Sequence, residues 1–429
     1  MWMSNLYYFN ENLSSKNLSF QDIKELDLQD PLANQAKKFD LPEGLIYLDG
    51  NSLGAMPKSV PDYFEKEIRD GWRTGLIRSW NGKGWHNMPL TLGNRLAPMM
   101  GANEGEVLIV DSTSLNLFKM LVAALKMRPE RLEVLSEKGN FPSDIHVVQG
   151  VLNNFFPETN LVLAGHTDDE IIAVINDKTA VVTLTHVNYK TGEIHDMERI
   201  TRKAHEHGAL IIWDLAHSLG ALPVDLNSCN ADFAIGCTYK YLNSGHGGPA
   251  YLFVAERHLK QATNTLTGWQ GHANPFSFDI NYEPAETIEK FRCGSPAILS
   301  YLALEKSLDI FESVNFLELR KKSQNLTQLF IELVESKCSG FGLELYSPKD
   351  PNKRGSQVSF THPNGWEIMQ ALISLDVIGD FRAPNIIRFG FTPLYTSYED
   401  VWRAVDILSD ILHKEIWKDP VYSVRSLVT

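Results

Sequence analysis

Between residues 105 and 238 the chain repeats one pattern: a short apolar run, then a longer stretch with helical spacing. GEVLIVD (105–111), RLEVLSE (131–137), LVLAG (161–165), TAVVTLTHV (179–187), ALIIWD (209–214) and DFAIGCT (232–238) read as strands. SLNLFKMLVAALKM (114–127), a stretch from Ser143, and MERITRKAHEHG (197–208), which closes on a glycine suited to a C-cap, read as helices. This alternation specifies an α/β fold with a mostly parallel sheet covered by helices on both faces. In such sheets ligands bind beyond the carboxyl ends of the strands. After about residue 300 the pattern changes to two long helical stretches, short strands at SQVSFTH and NIIRFGF, and a helix from about Tyr398 to Lys414. The expected division is an N-terminal segment (1–45), a large domain (46–300) and a smaller α+β C-terminal domain (301–429).

The 429 residues are 43% hydrophobic and 22% charged, enough apolar material for a large core. A formal net charge of -13 argues against nucleic-acid or anionic-membrane partners, since both require a basic face. It leaves room for an anionic small molecule in a locally positive pocket. The four cysteines form no C-x-x-C pair, which points to a reducing compartment without a disulfide framework. The first residues lack the basic-then-apolar pattern of a signal peptide, and no apolar run approaches the roughly 18 residues of a membrane span. The expectation is a cytoplasmic protein.

Asp214 stands at the carboxyl end of ALIIWD, a run apolar enough to be a central buried strand. A carboxylate there is costly unless a cation or donors compensate. It reads either as the partner of a protonated pyridine nitrogen, with His217 beside it, or as a strand-end cap for the next helix. Lys240 follows AIGCT and is flanked by Tyr239, Tyr241 and Leu242. Most lysines are solvated surface charges. Apolar, aromatic surroundings instead favour the neutral amine that bonds a carbonyl cofactor as a Schiff base. Asp111-Ser112-Thr113-Ser114 lies between a strand and a helix, where hydroxyls and backbone N–H groups hold phosphate or simply cap. Phe141-Pro142-Ser143-Asp144 offers an aromatic platform plus polar groups at a second helix start, or a hydrophobic staple and cap. Thr185 adds a hydroxyl on the same sheet edge. Together these strand ends form a cradle for pyridoxal phosphate.

With those residues in place, the chain resembles the kynureninase family nearly end to end. The resemblance runs through LDLQDPLA, IYLDGNSLGAMP, RSWNGKGWH, DSTSLNLFKML, FPSD, THVNYKTG, WDLAHSLG, YKYLN, GWQGH, FRCGSP and IIRFGFTPLY. It implies a pyridoxal-phosphate fold of type I, class V aminotransferase-like, with a seven-stranded sheet in the large domain. It implies hydrolysis of L-kynurenine, and of its 3-hydroxy form, to anthranilates and L-alanine in tryptophan breakdown or NAD synthesis. By the same resemblance Lys240 carries the cofactor and moves the α-proton, and Tyr239 is a second proton-transfer residue. Asp214 takes the pyridine nitrogen, with His217 beside it, and Phe141 stacks on the ring. Thr113, Ser114, Pro142, Ser143, Asp144, Thr185 and Tyr239 surround the phosphate and ring oxygen. Trp269 and Ser295 reach the cofactor phosphate of a neighbouring subunit in a homodimer whose active site lies at the interface. Arg388 clamps the substrate α-carboxylate bidentately, and Asn51, Ser52, Trp80 and His86 line the pocket of the aryl ring. The chain departs from many relatives at His246 and Ser295.

Two rival functions keep the same skeleton. A cysteine desulfurase needs a nucleophilic thiol in the second domain, and Phe381-Arg382-Ala383-Pro384 has none. A silent cofactor-binding scaffold would not need Lys240, Asp214 and Arg388 together. His205-Glu206-His207 sits at a helix C-terminus, where imidazoles suit the dipole, and no third metal ligand is evident; no metal is expected. Trp72, Trp80 and Trp85 read as core or interface, and the cysteines as small apolar residues.

Overall fold

In the computed structural model the apolar runs become the strands of one seven-stranded sheet: β1 (Val107–Ile109), β2 (Glu133–Glu137), β3 (Asn160–Ala164), β4 (Thr179–Thr185), β5 (Leu210–Asp214), β6 (Phe233–Cys237) and β7 (Ala250–Val254). Residues 18–425 are described, so the reading of the first 17 residues lies outside the described residues. Strand order is β1-β7-β6-β5-β4-β2-β3. Only β7 is antiparallel to its neighbours; the other pairings are parallel. Every residue of β4, β5, β6 and β7 is buried, as a sheet covered on both faces requires. Helix α1 (Thr113–Lys126) contributes Leu117, Leu121 and Ala124 to a core shared with Ile212, Phe233 and Leu252. Strand β7 is the one that periodicity did not reveal, because it returns directly from β6 without a crossover helix.

Helices α2 (Pro142–Phe155) and α3 (Met197–Glu206) complete the expected alternation, and Gly208 takes the left-handed conformation (φ 73°) beyond the end of α3. Helix α4 (Ile298–Phe311) follows, and Tyr301 Oη on it donates to the Ile109 carbonyl at 2.9 Å.

The described residues divide into two compact units: Ser59–Asn188 with His195–Asp309, and residues 18–58 with Tyr189–Ile194 and residues 310–425. This differs from cuts at residues 45 and 300, for reasons of long-range pairing. Ile46–Tyr47 forms a parallel pair with Val377–Ile378. The Asp27 carboxylate accepts the N–H groups of Tyr398 (2.8 Å) and Glu399 (2.9 Å), at the start of a helix more than 370 residues away. The turn at 189–192 is held by Gln357 Nε2 on the Tyr189 carbonyl (3.0 Å) and Ser359 Oγ on that of Lys190 (2.5 Å).

The second unit carries a four-stranded antiparallel sheet of β8 (Glu344–Leu345), β9 (Gln357–Thr361), β10 (Asp380–Arg382) and β11 (Ile386–Gly390), in the order β8-β9-β11-β10. Helices α5 (Phe316–Lys337), α6 (Gly365–Ser374) and α7 (Tyr398–His413) supply its core, where Phe330 meets Phe389 at 4.7 Å between centroids. Gly390 bridges to Asp49; a Cβ there would lie 1.9 Å from the Asn51 side-chain amide, so glycine is what lets the Asp49–Ser52 loop reach β11.

One buried charge cluster makes stability depend on pH. His195 lies between Asp168 Oδ1 (2.7 Å) and Glu137 Oε1 (3.4 Å). Burial alone would lower its affinity for a proton, but hydrogen bonds to Asp168 and Glu137 outweigh burial and raise the imidazole to about 9. A folded-state value above the unfolded one contributes stability that is fully present below about pH 6.5 and lost as pH rises through about 9. The expected loss is about 2–3 kcal/mol between those limits. Chemical denaturation at pH 6 and pH 9.5 measures it, and a His195→Gln protein should show a correspondingly flatter profile.

Candidate active site

The parallel arrangement brings the carboxyl ends of β2, β4, β5 and β6 to one edge of the sheet, and β1 runs the same way. Thr185 and Asp214 are direct neighbours across β4 and β5, and Asp214 pairs with Ile235 on β6, five residues before Lys240.

Asp214 is buried, and its Oδ1 accepts the Ala216 N–H at 2.8 Å. Asp144, in the first turn of α2, is buried and hydrogen-bonded to it. Burial pushes both carboxyls upward. The Asp214 charge drives Asp144 further up, whereas Lys240, the Ala216 N–H and Asp144 each pull Asp214 back down. Burial and the Asp214 charge thus hold Asp144 well above the usual carboxylate range, while Lys240 opposes the rise of both carboxyls. This assigns Asp144 a more specific place than the phosphate region implied by the sequence.

Lys240 Nζ lies 6.0 Å from the Phe141 ring centroid and 5.9 Å from that of Tyr239. Phe141 precedes α2, is 40% exposed, and leaves that helix without a side-chain cap; Pro142 sets the first turn. Burial, and then the Cys237 thiol, push the Tyr239 phenol upward, so it keeps its proton at neutral pH. His246 stacks on Tyr239 with centroids 6.4 Å apart. His217 is buried just past Asp214.

Two helix starts converge on hydroxyls. Ser114 Oγ and Ser143 Oγ are 3.1 Å apart, and Thr113 opens α1. The cap of α1 is Ser112, whose hydroxyl accepts the Leu115 N–H. Asp111 sits at φ 50° just before it and is gripped by the fully buried Lys119, which also donates to the Phe291 carbonyl at 2.6 Å. Thr185 Oγ1 donates to Asn140 Oδ1 at 2.5 Å, so toward a ligand it has only lone pairs to offer. Sequence reasoning missed Lys119 and Asn140; a lysine within an apolar helical stretch was the available signal for the first.

Trp80, His86 and Trp269 form one aromatic cluster with Phe276, another residue the sequence did not single out. Centroids are 6.3 Å apart for Trp80 and Trp269 and 5.2 Å for His86 and Phe276. Burial and the Arg292 charge lower the His86 imidazole, and its buried Nδ1 has no hydrogen-bond partner. Ser295 is exposed and lines a recess of about 260 Å³ with Asp111, Arg292 and Tyr301.

In the other unit the structure joins Ser52 to Arg388. The Arg388 guanidinium is 1% exposed and donates from Nε to Asp380 Oδ1 (2.8 Å), from Nη2 to Asp380 Oδ2 and Ser52 Oγ (3.0 Å), and from Nη1 to the Tyr189 carbonyl (2.7 Å). Its bidentate partner is thus a residue of the chain itself, which the sequence did not reveal. Buried Asn51 adds its amide, with oxygen toward Arg388 Nε at 3.0 Å and nitrogen toward Asp49 Oδ1 at 3.2 Å. Burial and the Asp380 charge raise the Asp49 carboxyl to about 7. Ser52 and Asn51 therefore belong with the guanidinium.

The remaining histidines of the sequence pattern have carboxylate partners: His205 Nε2 lies 2.8 Å from Asp232, and His207 Nδ1 2.8 Å from Asp177. All four cysteines are free thiols. Among the described residues no helix is long and apolar enough to cross a membrane.

The donor set fits pyridoxal phosphate. A buried carboxyl, Asp214, stands at the strand end, an exposed aromatic face adjoins Lys240, and hydroxyls meet at two helix starts. Solved structures with the same architecture define the class. The apo cysteine desulfurase from Thermococcus onnurineus NA1 aligns with a TM-score of 0.73 at 20% identity, covering 91% of this chain and 98% of its own. The cysteine desulfurase CsdA from Escherichia coli aligns at 0.75 and 16% identity, covering 89% and 98%. The fold is that of the type I pyridoxal-phosphate enzymes. A profile of the DegT/DnrJ/EryC1/StrS aminotransferase family matches residues 130–248, and one of the kynureninase C-terminal domain matches residues 319–408. Kynureninases from Burkholderia pseudomallei (strain K96243) and Pseudomonas fluorescens are each 48% identical, over 94% and 95% of this chain and 98% and 99% of theirs. The chain belongs to the kynureninase family.

Proposed function

We propose that the chain hydrolyses L-kynurenine, and its 3-hydroxy form, to the corresponding anthranilate and L-alanine, with pyridoxal phosphate bound at Lys240. The observation that carries this reading is Lys240 beside the exposed Phe141 ring, with buried Asp214 at the neighbouring strand end, in a chain of this family. When bound, pyridoxal phosphate supplies an electron sink for the charge that develops at the substrate α- and β-carbons.

The chain's own residues supply the rest. Asp214 would meet the pyridine nitrogen, since Lys240, the Ala216 N–H and Asp144 all oppose the rise that burial imposes on its carboxyl. Phe141 gives the ring a flat apolar face. Thr113, Ser114 and Ser143 present hydroxyls where helix N-termini favour phosphate. Lys240 Nζ takes the α-proton, and the Tyr239 hydroxyl, held in its protonated form, gives a proton in the later steps. Arg388 meets the α-carboxylate. Trp80 and His86 bound the aryl ring, where the unpartnered His86 Nδ1 offers a hydrogen bond to a ring substituent. Trp269 and Ser295 serve the cofactor phosphate of a second copy, so the working form is a homodimer, and it acts in the cytoplasm.

A desulfurase reading finds no support in the second unit: Cys338 is buried, and burial drives its thiol up to about 12. The direct test is to incubate the purified, cofactor-loaded protein with L-kynurenine. Anthranilate fluorescence and an equal amount of L-alanine are expected. Absence of both, or sulfide release from L-cysteine in their place, would sink the proposal.

A further inference from the structure

We infer that Asp380 is the positioning residue for the substrate-carboxylate site, holding Arg388 by its Nε–Nη2 edge so that only the Nη end can meet the ligand. The inference rests on the proposed role of Arg388. Both partners are buried, with the guanidinium 1% and the carboxylate 2% exposed. Both carboxylate oxygens are used: Oδ1 takes Arg388 Nε at 2.8 Å, and Oδ2 takes Arg388 Nη2, Arg382 Nη2 at 2.6 Å and the Ser52 hydroxyl at 2.9 Å.

A fork-to-fork pair of this kind fixes the plane of the guanidinium as well as its position. It also supplies the counter-charge without which a buried arginine is strongly unfavourable. The two residues face each other directly across β10 and β11, so the register of the sheet builds the pair. The edge most suited to gripping a carboxylate is therefore already taken. An incoming α-carboxylate has to approach the Nη1–Nη2 end, where the Tyr189 carbonyl and Ser52 Oγ now sit at 2.7 and 3.0 Å. Arg382, tied to the same Asp380 oxygen, is the second cation at this cluster. The recognised ligand class is an amino acid with a free α-carboxylate.

The test compares Asp380→Asn, Asp380→Glu and Arg388→Lys in the cofactor-loaded protein. KM and kcat are measured with L-kynurenine, and the inhibition constant with kynurenamine, which lacks the carboxylate. Asp380→Asn is expected to raise KM on the order of tenfold, with kcat within about threefold and the kynurenamine constant unchanged. Asp380→Glu keeps the charge but shifts it by one methylene, so a smaller rise in KM is expected. Cofactor absorbance should match the parent protein in all three. If Arg388→Lys raises KM while both Asp380 variants leave it in place, the positioning role is overturned and the Arg388 assignment stands. If Arg388→Lys itself leaves KM unchanged, the carboxylate assignment fails and the inference falls with it. A kynurenamine constant that worsens as much as KM would show general damage to the fold and also overturn the inference.

Discussion

Replacing Lys240 with alanine is expected to lower kcat for L-kynurenine by at least about 10³-fold, because one side chain is asked both to bond the cofactor and to move the α-proton. Its amine stands 6.0 Å from the Phe141 ring centroid and acts electrostatically on both Asp144 and Asp214. Arginine at 240 would keep the positive charge but offers no neutral amine. Lys240→Arg should therefore be as inactive as Lys240→Ala, while disturbing the acid pair less. Single-turnover assays with cofactor-saturated protein separate this from simple loss of cofactor. An alanine variant retaining more than about a hundredth of the parent rate would remove Lys240 from the mechanism.

Asp214→Ala is expected to reduce kcat/KM by about 10²–10³-fold and to weaken cofactor binding, since it deletes the charge that a pyridine nitrogen would meet in a site that excludes water. Asp144→Asn should be much milder, about tenfold. Burial and the Asp214 charge hold Asp144 well above the usual carboxylate range, so an uncharged amide preserves its hydrogen-bonding role toward Asp214. Cofactor affinity from fluorescence titration and kcat/KM from anthranilate release give the two rankings. Equal losses in both variants, or a larger loss at Asp144, would overturn the expected order.

The architecture of the large unit was legible because its signals are local. Apolar runs such as ALIIWD carry their burial in their own composition, and the helical spacing between them imposes parallel neighbours. Once strands are parallel, residues just past each carboxyl end must share an edge. The sequence alone therefore groups Asp214, Thr185, Lys240 and the Ser112–Ser114 start of α1. Strand β7 escaped because it pairs antiparallel, outside the alternating pattern.

Pairings between distant side chains were not legible. Composition and spacing identify the residue types at Asp144 and Asp214, 70 positions apart, but not that the Asp214 charge acts on Asp144. Arg388 looked like an open clamp, and it is held by Asp380 because β10 and β11 set them face to face. Residues 18–58 looked like part of a separate segment and the start of the large domain. They belong with the C-terminal unit because Ile46–Tyr47 completes a pairing with Val377–Ile378 and Asp27 caps α7. The sequence by itself determined the elements and the sheet edge that gathers the chemistry, since backbone periodicity and burial are properties of short stretches. Only the tertiary structure decided which charges meet, because a buried ion pair depends on register and on contacts between residues far apart in the chain.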